Sequence, residues 1–188
     1  MPKQAFILID LQNDYYPDGK FPLVGVKEAT ENAATLLNEI RKLKDDYLII
    51  HVRHEFPGDA SQAPFFGQGT EGSQIYEGVK SEPGEIVITK NSPNSFIQTD
   101  LQKILDENKV SDIIIVGAMT HMCVQGTSRA AAEKGYKVTV IEDAVATRDL
   151  EHGGVVVPAK QVAAAVFATL AFGYASIITT KELLQSLK

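Results

Sequence analysis

The sequence predicts an α/β domain: a three-layer, doubly wound, mostly parallel sheet of six strands in the order 3-2-1-4-5-6, with helices on both faces. Three observations carry this expectation. Short runs of β-branched and aliphatic residues alternate with longer segments of helical spacing along the chain. The runs are apolar at consecutive positions, as strands covered on both faces require. Right-handed crossovers then bring successive strands into one parallel sheet, with a ligand crevice at its carboxyl edge between strands one and four. The 188 residues fit a single domain, 1–188, with a full hydrophobic core.

The elements follow in order. Ala5-Phe6-Ile7-Leu8-Ile9 is a continuous apolar strand that ends on Asp10. A polar, aromatic loop follows, Leu11-Gln12-Asn13-Asp14-Tyr15-Tyr16-Pro17-Asp18-Gly19. It lacks clustered glycines and carries carboxylates, so it does not suit a phosphate. Residues 26–43 have helical spacing, with Ala29, Ala33, Leu36, Leu37 and Ile40 on one face. Tyr47-Leu48-Ile49-Ile50-His51-Val52 is the second strand, with Arg53-His54-Glu55-Phe56 at its end. The segment 57–84 is long for a compact domain and reads as a pocket wall or lid, with Phe65 and Phe66 as apolar contacts. Glu85-Ile86-Val87-Ile88-Thr89 is the third strand and ends on Lys90; a helix covers 100–108. Ile113-Ile114-Ile115-Val116 is the fourth, ending at Gly117, and a helix is expected from Cys123 to about Lys134, with Gly135 past its end. The fifth strand, Tyr136-Lys137-Val138-Thr139-Val140-Ile141, ends near Asp143, and a loop runs to Val157. Pro158 opens a helix over 159–172 that is apolar nearly all round. One face covers the sheet, and a subunit interface accounts for the rest, which predicts a homo-oligomer, a dimer or tetramer. A short sixth strand, Ser176-Ile177-Ile178-Thr179, and a closing helix over 181–187 complete the chain.

Composition narrows the function. At 44% hydrophobic and 22% charged the chain is ordinary for a globular protein. A formal net charge of -6 gives no basis for nucleic-acid binding. The N-terminus has no signal-peptide pattern, and the longest apolar stretch, 162–175, is too short to span a membrane. One cysteine cannot form an internal disulfide, which fits the cytoplasm. The expected partner is a small-molecule substrate, with neither nucleic acid nor membrane.

Two readings fit the single cysteine. Free cysteine is often a small apolar core residue. A thiol where a strand gives way to a helix also feels the positive end of the helix dipole, which favours thiolate. The predicted topology bears on the choice, because it brings the ends of strands one, three and four to one edge. Asp10, Lys90 and Cys123 would then share a crevice, and perturbed titratable groups cluster at functional sites.

Three motifs carry a resemblance over nearly the whole chain. Asp10 in Ile-Asp-Leu-Gln-Asn-Asp, Lys90 before Ser-Pro-Asn-Ser-Phe, and Gly-Ala-Met-Thr-His-Met-Cys-Val resemble the signatures of the isochorismatase-like cysteine hydrolases. That family includes nicotinamidases and N-carbamoylsarcosine, biuret and ureidoacrylate amidohydrolases, on a Rossmann-like sheet. The resemblance implies a catalytic triad of Asp10, Lys90 and Cys123 and a non-proline cis peptide at Ala118-Met119. It also implies an oxyanion hole from the backbone N–H groups of Met119 and Cys123. The implied reaction is thiolate attack on a carbonyl carbon, with Asp10 taking and returning the proton and Lys90 stabilising the anion.

The motifs do not fix the substrate. Nicotinamidases hold a metal through an Asp-x-His pair near strand two; here that strand ends His51-Val52-Arg53-His54, so neither metal nor other cofactor is expected. His51 reads as a core residue, and His54 as a pocket residue at the strand end. Gln12, Tyr15, Tyr16, His54, Phe65 and Phe96 are the expected substrate-binding residues, of which Tyr15, Tyr16, Phe65 and Phe96 equally suit the core. Arg148 and His152 are weaker candidates for selecting a polar group. The cysteine favours hydrolysis of a C–N bond in an amide, ureide or lactam. Vinyl-ether hydrolysis with Asp10 as the acid, and a non-enzymatic binding or redox-sensing module, are the alternatives.

Overall fold

The computed structural model describes residues 4–187; of the expected single domain, residues 1–3 and 188 lie outside the described residues. The central sheet comprises β1 (Gln4–Ile9), β2 (Tyr47–His54), β3 (Ile86–Lys90), β4 (Asp112–Ala118), β5 (Lys137–Ala146) and β8 (Ser176–Ile178). Their order is β3-β2-β1-β4-β5-β8, and all five pairings are parallel. With β8 as the sixth strand, this is the expected doubly wound sheet. The helices are α1 (Val26–Arg41), α2 (Leu101–Glu107), α3 (Gln125–Glu133), α4 (Ala159–Gly173) and α5 (Thr180–Ser186).

Side chains alternate across a strand, so each central strand feeds two cores. Along β1, Ala5, Ile7 and Ile9 enter a cluster with Ile50, Val52, Ile113, Ile115, Leu101 and Leu170. Phe6 and Leu8 enter the opposite cluster, with Leu36, Leu37 and Ile40 of α1. The buried face of α1 is the stripe that helical spacing selects, extended to Val26 and Thr30.

The expected loop up to Val157 needs correction. β5 continues to Ala146, and β6 (Leu150–His152) pairs antiparallel with β7 (Val155–Val157). Gly153 and Gly154, both at positive φ, form the two-residue turn between them, a geometry glycine adopts without steric cost. β5 also slips against β4: Ile115 pairs with Val140, but Gly117 pairs with Val145. The extra length on β5 bulges out of the ladder beside the carboxyl edge.

Gly117 sets the spacing at that edge. Its φ is 126°, and a Cβ there would stand 2.0 Å from the carbonyl oxygen of Ile9. Only glycine lets β4 lie this close to the end of β1, immediately before Asp10.

Helix α4 buries only Ala159, Val162, Val166 and Leu170. Ala164, Ala165, Ala168 and Ala171 face outward, and Phe172 is 94% exposed. Among the described residues no helix is long and apolar enough to cross a membrane.

Candidate active site

Three strand ends deliver three side chains to one point. Asp10 follows β1 in the left-handed region at φ 53°, its N–H bonded to the Val52 carbonyl. Such a conformation is unfavourable for a non-glycine residue and concentrates at functional positions. Lys90 is the last residue of β3, and Cys123 lies beyond β4. The Lys90 ammonium donates to Asp10 Oδ2 at 2.7 Å and to Cys123 Sγ at 3.3 Å. Asp10 is fully buried, Lys90 is 1% exposed and Cys123 5%. The sulfur thus lies in the interior but against an ion pair, not in an apolar void.

Cys123 does not open an α-helix, as the sequence suggested. Thr120–Val124 form a π-helical turn, and α3 begins after it at Gln125. The Met119 carbonyl accepts from both Met122 and Val124, which widens the turn. Single π turns inside helices are frequent at functional sites. The peptide Ala118-Met119 is cis, at the position the resemblance implies. Among the described residues no acceptor takes the Met119 N–H.

The electrostatics also revise an expectation. Burial and the Asp10 charge push the Cys123 thiol well above its ordinary range, and Lys90 offsets only part of this. The resting sulfur is therefore a thiol, not the thiolate that a helix terminus would favour. Burial works against the Lys90 charge, but Asp10 and Cys123 outweigh it and hold the ammonium protonated. The resting site thus sets a Lys90 ammonium between the Asp10 side chain and a neutral Cys123 thiol.

His54 completes the contacts of the ammonium, its Nδ1 standing 3.0 Å from Lys90 Nζ. Burial, then repulsion from Lys90, lowers its pKa to about 4. Asp10, His54 and Cys123 offer donor atoms within 4.8 Å of one another, a grouping that could suit a metal. The Lys90 ammonium touches all three, so the cation they share is an amine.

The other expected binding residues divide. Tyr15 is buried against Phe66, and burial, then the Asp10 charge, holds its phenol protonated. Phe65 stacks on Phe21 at 4.4 Å and meets Phe56 and Phe66 edge-on. With Phe66 and Met119 these rings form an apolar cover beside the triad. The remaining three are engaged in the frame. The Gln12 side chain is fully buried and bonds both backbone groups of His54, at 2.7 and 2.8 Å, and the Ser73 carbonyl. Tyr16 bonds Thr30 at 2.6 Å and stacks on Tyr76. Phe96 stacks on Tyr136 under Lys134.

His51, expected in the core, is buried there, with Nε2 2.8 Å from Glu85. Arg148 is exposed and its guanidinium lies 4.4 Å over the Phe21 ring; His152 is exposed on β6. A groove of about 640 Å³ lined by Asn13, Arg53, Tyr76, Lys80 and Thr89 is separate from the triad.

Sequence reasoning missed Asp14. Its buried carboxylate accepts from Phe66 N–H at 2.6 Å and Lys20 N–H at 3.1 Å. It thereby fixes Phe66, whose φ is 50°, within the aromatic cover. Gly72 is the trace of this packing, since a Cβ there would fall 2.2 Å from the carboxylate.

Comparison with known proteins agrees with this geometry. A model of the isochorismatase domain matches residues 4–171. The uncharacterized isochorismatase family protein YddQ of Bacillus subtilis is 41% identical over 181 residues, 96% of this chain and 98% of its own. The secreted isochorismatase effector Isc1 of Verticillium dahliae is 34% identical, covering 95% and 89%. A solved structure from Oleispira antarctica, described as an isochorismatase hydrolase, is 44% identical with a TM-score of 0.92, covering 97% and 96%. A more distant relative, maleamate amidohydrolase of Pseudomonas putida, is 27% identical over 157 residues, 78% of this chain and 73% of its own.

Proposed function

The chain belongs to the isochorismatase family, and on that premise we propose that it is a cysteine-dependent hydrolase of a C–N bond in a small amide, ureide or lactam. The observation that carries the proposal is the convergence of Asp10, Lys90 and Cys123 within hydrogen-bond reach. The maleamate amidohydrolase relative supports the amide reading.

The chemistry follows from the resting charges. Cys123 is a thiol, so its proton leaves only as attack begins, and Asp10 takes it. The sulfur bonds to the substrate carbonyl carbon. The N–H groups of Met119 and Cys123 hold the oxygen as it gains charge, a contribution of about 3 kcal/mol per donor. Lys90 stabilises the developing sulfur anion. Asp10 then passes its proton to the leaving nitrogen, the C–N bond breaks, and a thioester remains. Asp10 next takes a proton from water, whose oxygen attacks the thioester; the C–S bond breaks, the carboxylic acid leaves, and Asp10 returns the proton to the sulfur. No metal or cofactor enters this scheme. The aromatic cover formed by Tyr15, Phe65 and their neighbours is the acyl subsite.

The test is a panel of primary amides, ureides and lactams, followed by released ammonia or amine, beside isochorismate. Turnover of a panel member with an acyl adduct on Cys123 in the intact mass is the expected result. Turnover of isochorismate alone, without an adduct, would replace this reading by vinyl-ether hydrolysis, for which the name of the Isc1 relative is the motive.

We further assign the protein to the cytoplasm as a homo-oligomer. Its one cysteine is a free thiol, and the alanine face of α4 with Phe172 is uncovered in the single chain. Sedimentation at a multiple of the chain mass is expected; the mass of one chain at micromolar concentration would exclude the oligomer.

A further inference from the structure

An ammonium has three N–H donors and no acceptor. Here the three have three acceptors: Asp10 Oδ2 at 2.7 Å, His54 Nδ1 at 3.0 Å and Cys123 Sγ at 3.3 Å. Two belong to the triad. The third is an imidazole nitrogen from the end of β2, the strand between β1 and β3. Only an unprotonated Nδ1 can accept, so the ring proton lies on Nε2, which is buried and has no partner among the described residues.

The ring is itself held in place. The Gln12 amide pairs with both the N–H and the carbonyl of His54 and ties them to the Ser73 carbonyl. Phe56 lies 4.9 Å from the imidazole and Phe66 6.3 Å. A side chain from the loop after β1 thus fixes the backbone of β2, and β2 fixes the amine of β3.

We propose that His54 is a positioning residue, anchored by Gln12, whose neutral Nδ1 takes the third N–H of Lys90 and so aims the ammonium at Cys123. Without that acceptor one donor of a buried ammonium is unsatisfied, which disfavours the charged form. The amine then loses charge or turns, and the sulfur loses its stabilising neighbour. The inference assigns His54 to the triad's frame rather than to the substrate. It draws its functional meaning from the hydrolase reading, but the test requires no substrate.

Two substitutions separate an acceptor from a packing group. Asparagine places an amide oxygen near the position of Nδ1 but is smaller than histidine. Leucine fills the space but accepts nothing. The probe is iodoacetamide, and the readout is the rate of Cys123 labelling by intact mass at about pH 8, with melting temperature recorded alongside. His54→Leu is expected to label about tenfold or more slowly than wild type, and His54→Asn within about threefold, one pKa unit of sulfur stabilisation being tenfold. A packing role gives the opposite ranking, and His54→Leu labelling as fast as His54→Asn overturns the proposal. The wild-type protein supplies a second measurement if either variant fails to fold. Nitrogen-15 shifts of the His54 ring should show Nε2 protonated and Nδ1 bare at neutral pH. A proton on Nδ1 refutes the assignment. An inactive amide panel would leave both measurements unaffected.

Discussion

Cys123→Ala should lower turnover of whichever amide the panel identifies by at least about 10⁴-fold, the scale seen when one member of a nucleophile–base unit is removed. The alternatives predict much less. If Asp10 alone protonates a vinyl ether, the sulfur is a neighbour and its loss changes turnover only by altered packing. Folding should survive, because alanine suits the small, buried position beside Val124 and Ala131. Labelling provides an independent check on the resting state. Since burial and Asp10 hold the sulfur as a thiol, alkylation should be slow at neutral pH and still rising well above the ordinary thiol range of about 8.5. A labelling plateau near neutrality would mean a resting thiolate, and Asp10 would then not be the proton acceptor. Turnover by Cys123→Ala within about tenfold of wild type would remove covalent catalysis altogether.

The fold and the meeting of Asp10, Lys90 and Cys123 were legible because both rest on local signals that parallel topology then combines. Apolar runs identify the strands, and right-handed crossovers leave few ways to order them. Asp10 and Lys90 each adjoin the end of such a run, so strand order alone brings them to one edge. Gln12 shows where this reasoning stops. A glutamine two residues after a strand-end aspartate looks like a substrate contact, yet its partners are backbone groups 42 and 61 residues away. Main-chain hydrogen-bond needs are invisible until the loop's path is known. Tyr16 and Phe96 are undecided between pocket and core in the sequence for the same reason, since Thr30 and Tyr136 engage them only through tertiary contact. The thiol was harder still. A helix terminus and a nearby ammonium suggest thiolate, but the depth of burial, which has no sequence signal, adds to the Asp10 charge and decides the balance. The β6–β7 hairpin, by contrast, was within reach, since Gly153-Gly154 between Leu-Glu-His and Val-Val-Val is a hairpin turn in plain view.

Lys90→Met should produce the largest loss of stability, about 3–5 kcal/mol, because it strands a buried charge rather than removing a surface pair. Both side chains of the Asp10–Lys90 pair are 0% exposed. Asp10 Oδ1 already has no hydrogen-bond partner among the described residues, so without the ammonium neither oxygen has a compensating cation. Methionine retains most of the lysine stem, which makes lost charge rather than an empty cavity the main change. For a domain of this size the melting temperature should fall by roughly 10 °C. The cause can be isolated by a second change in the same variant. Asp10→Asn removes the stranded charge, so Asp10→Asn with Lys90→Met should be more stable in urea than Lys90→Met alone. A double variant no more stable than Lys90→Met, or a single variant within about 1 kcal/mol of wild type, would mean that water reaches the pair. The triad would then lack the shielding that lets one ammonium both hold the base and stabilise the sulfur.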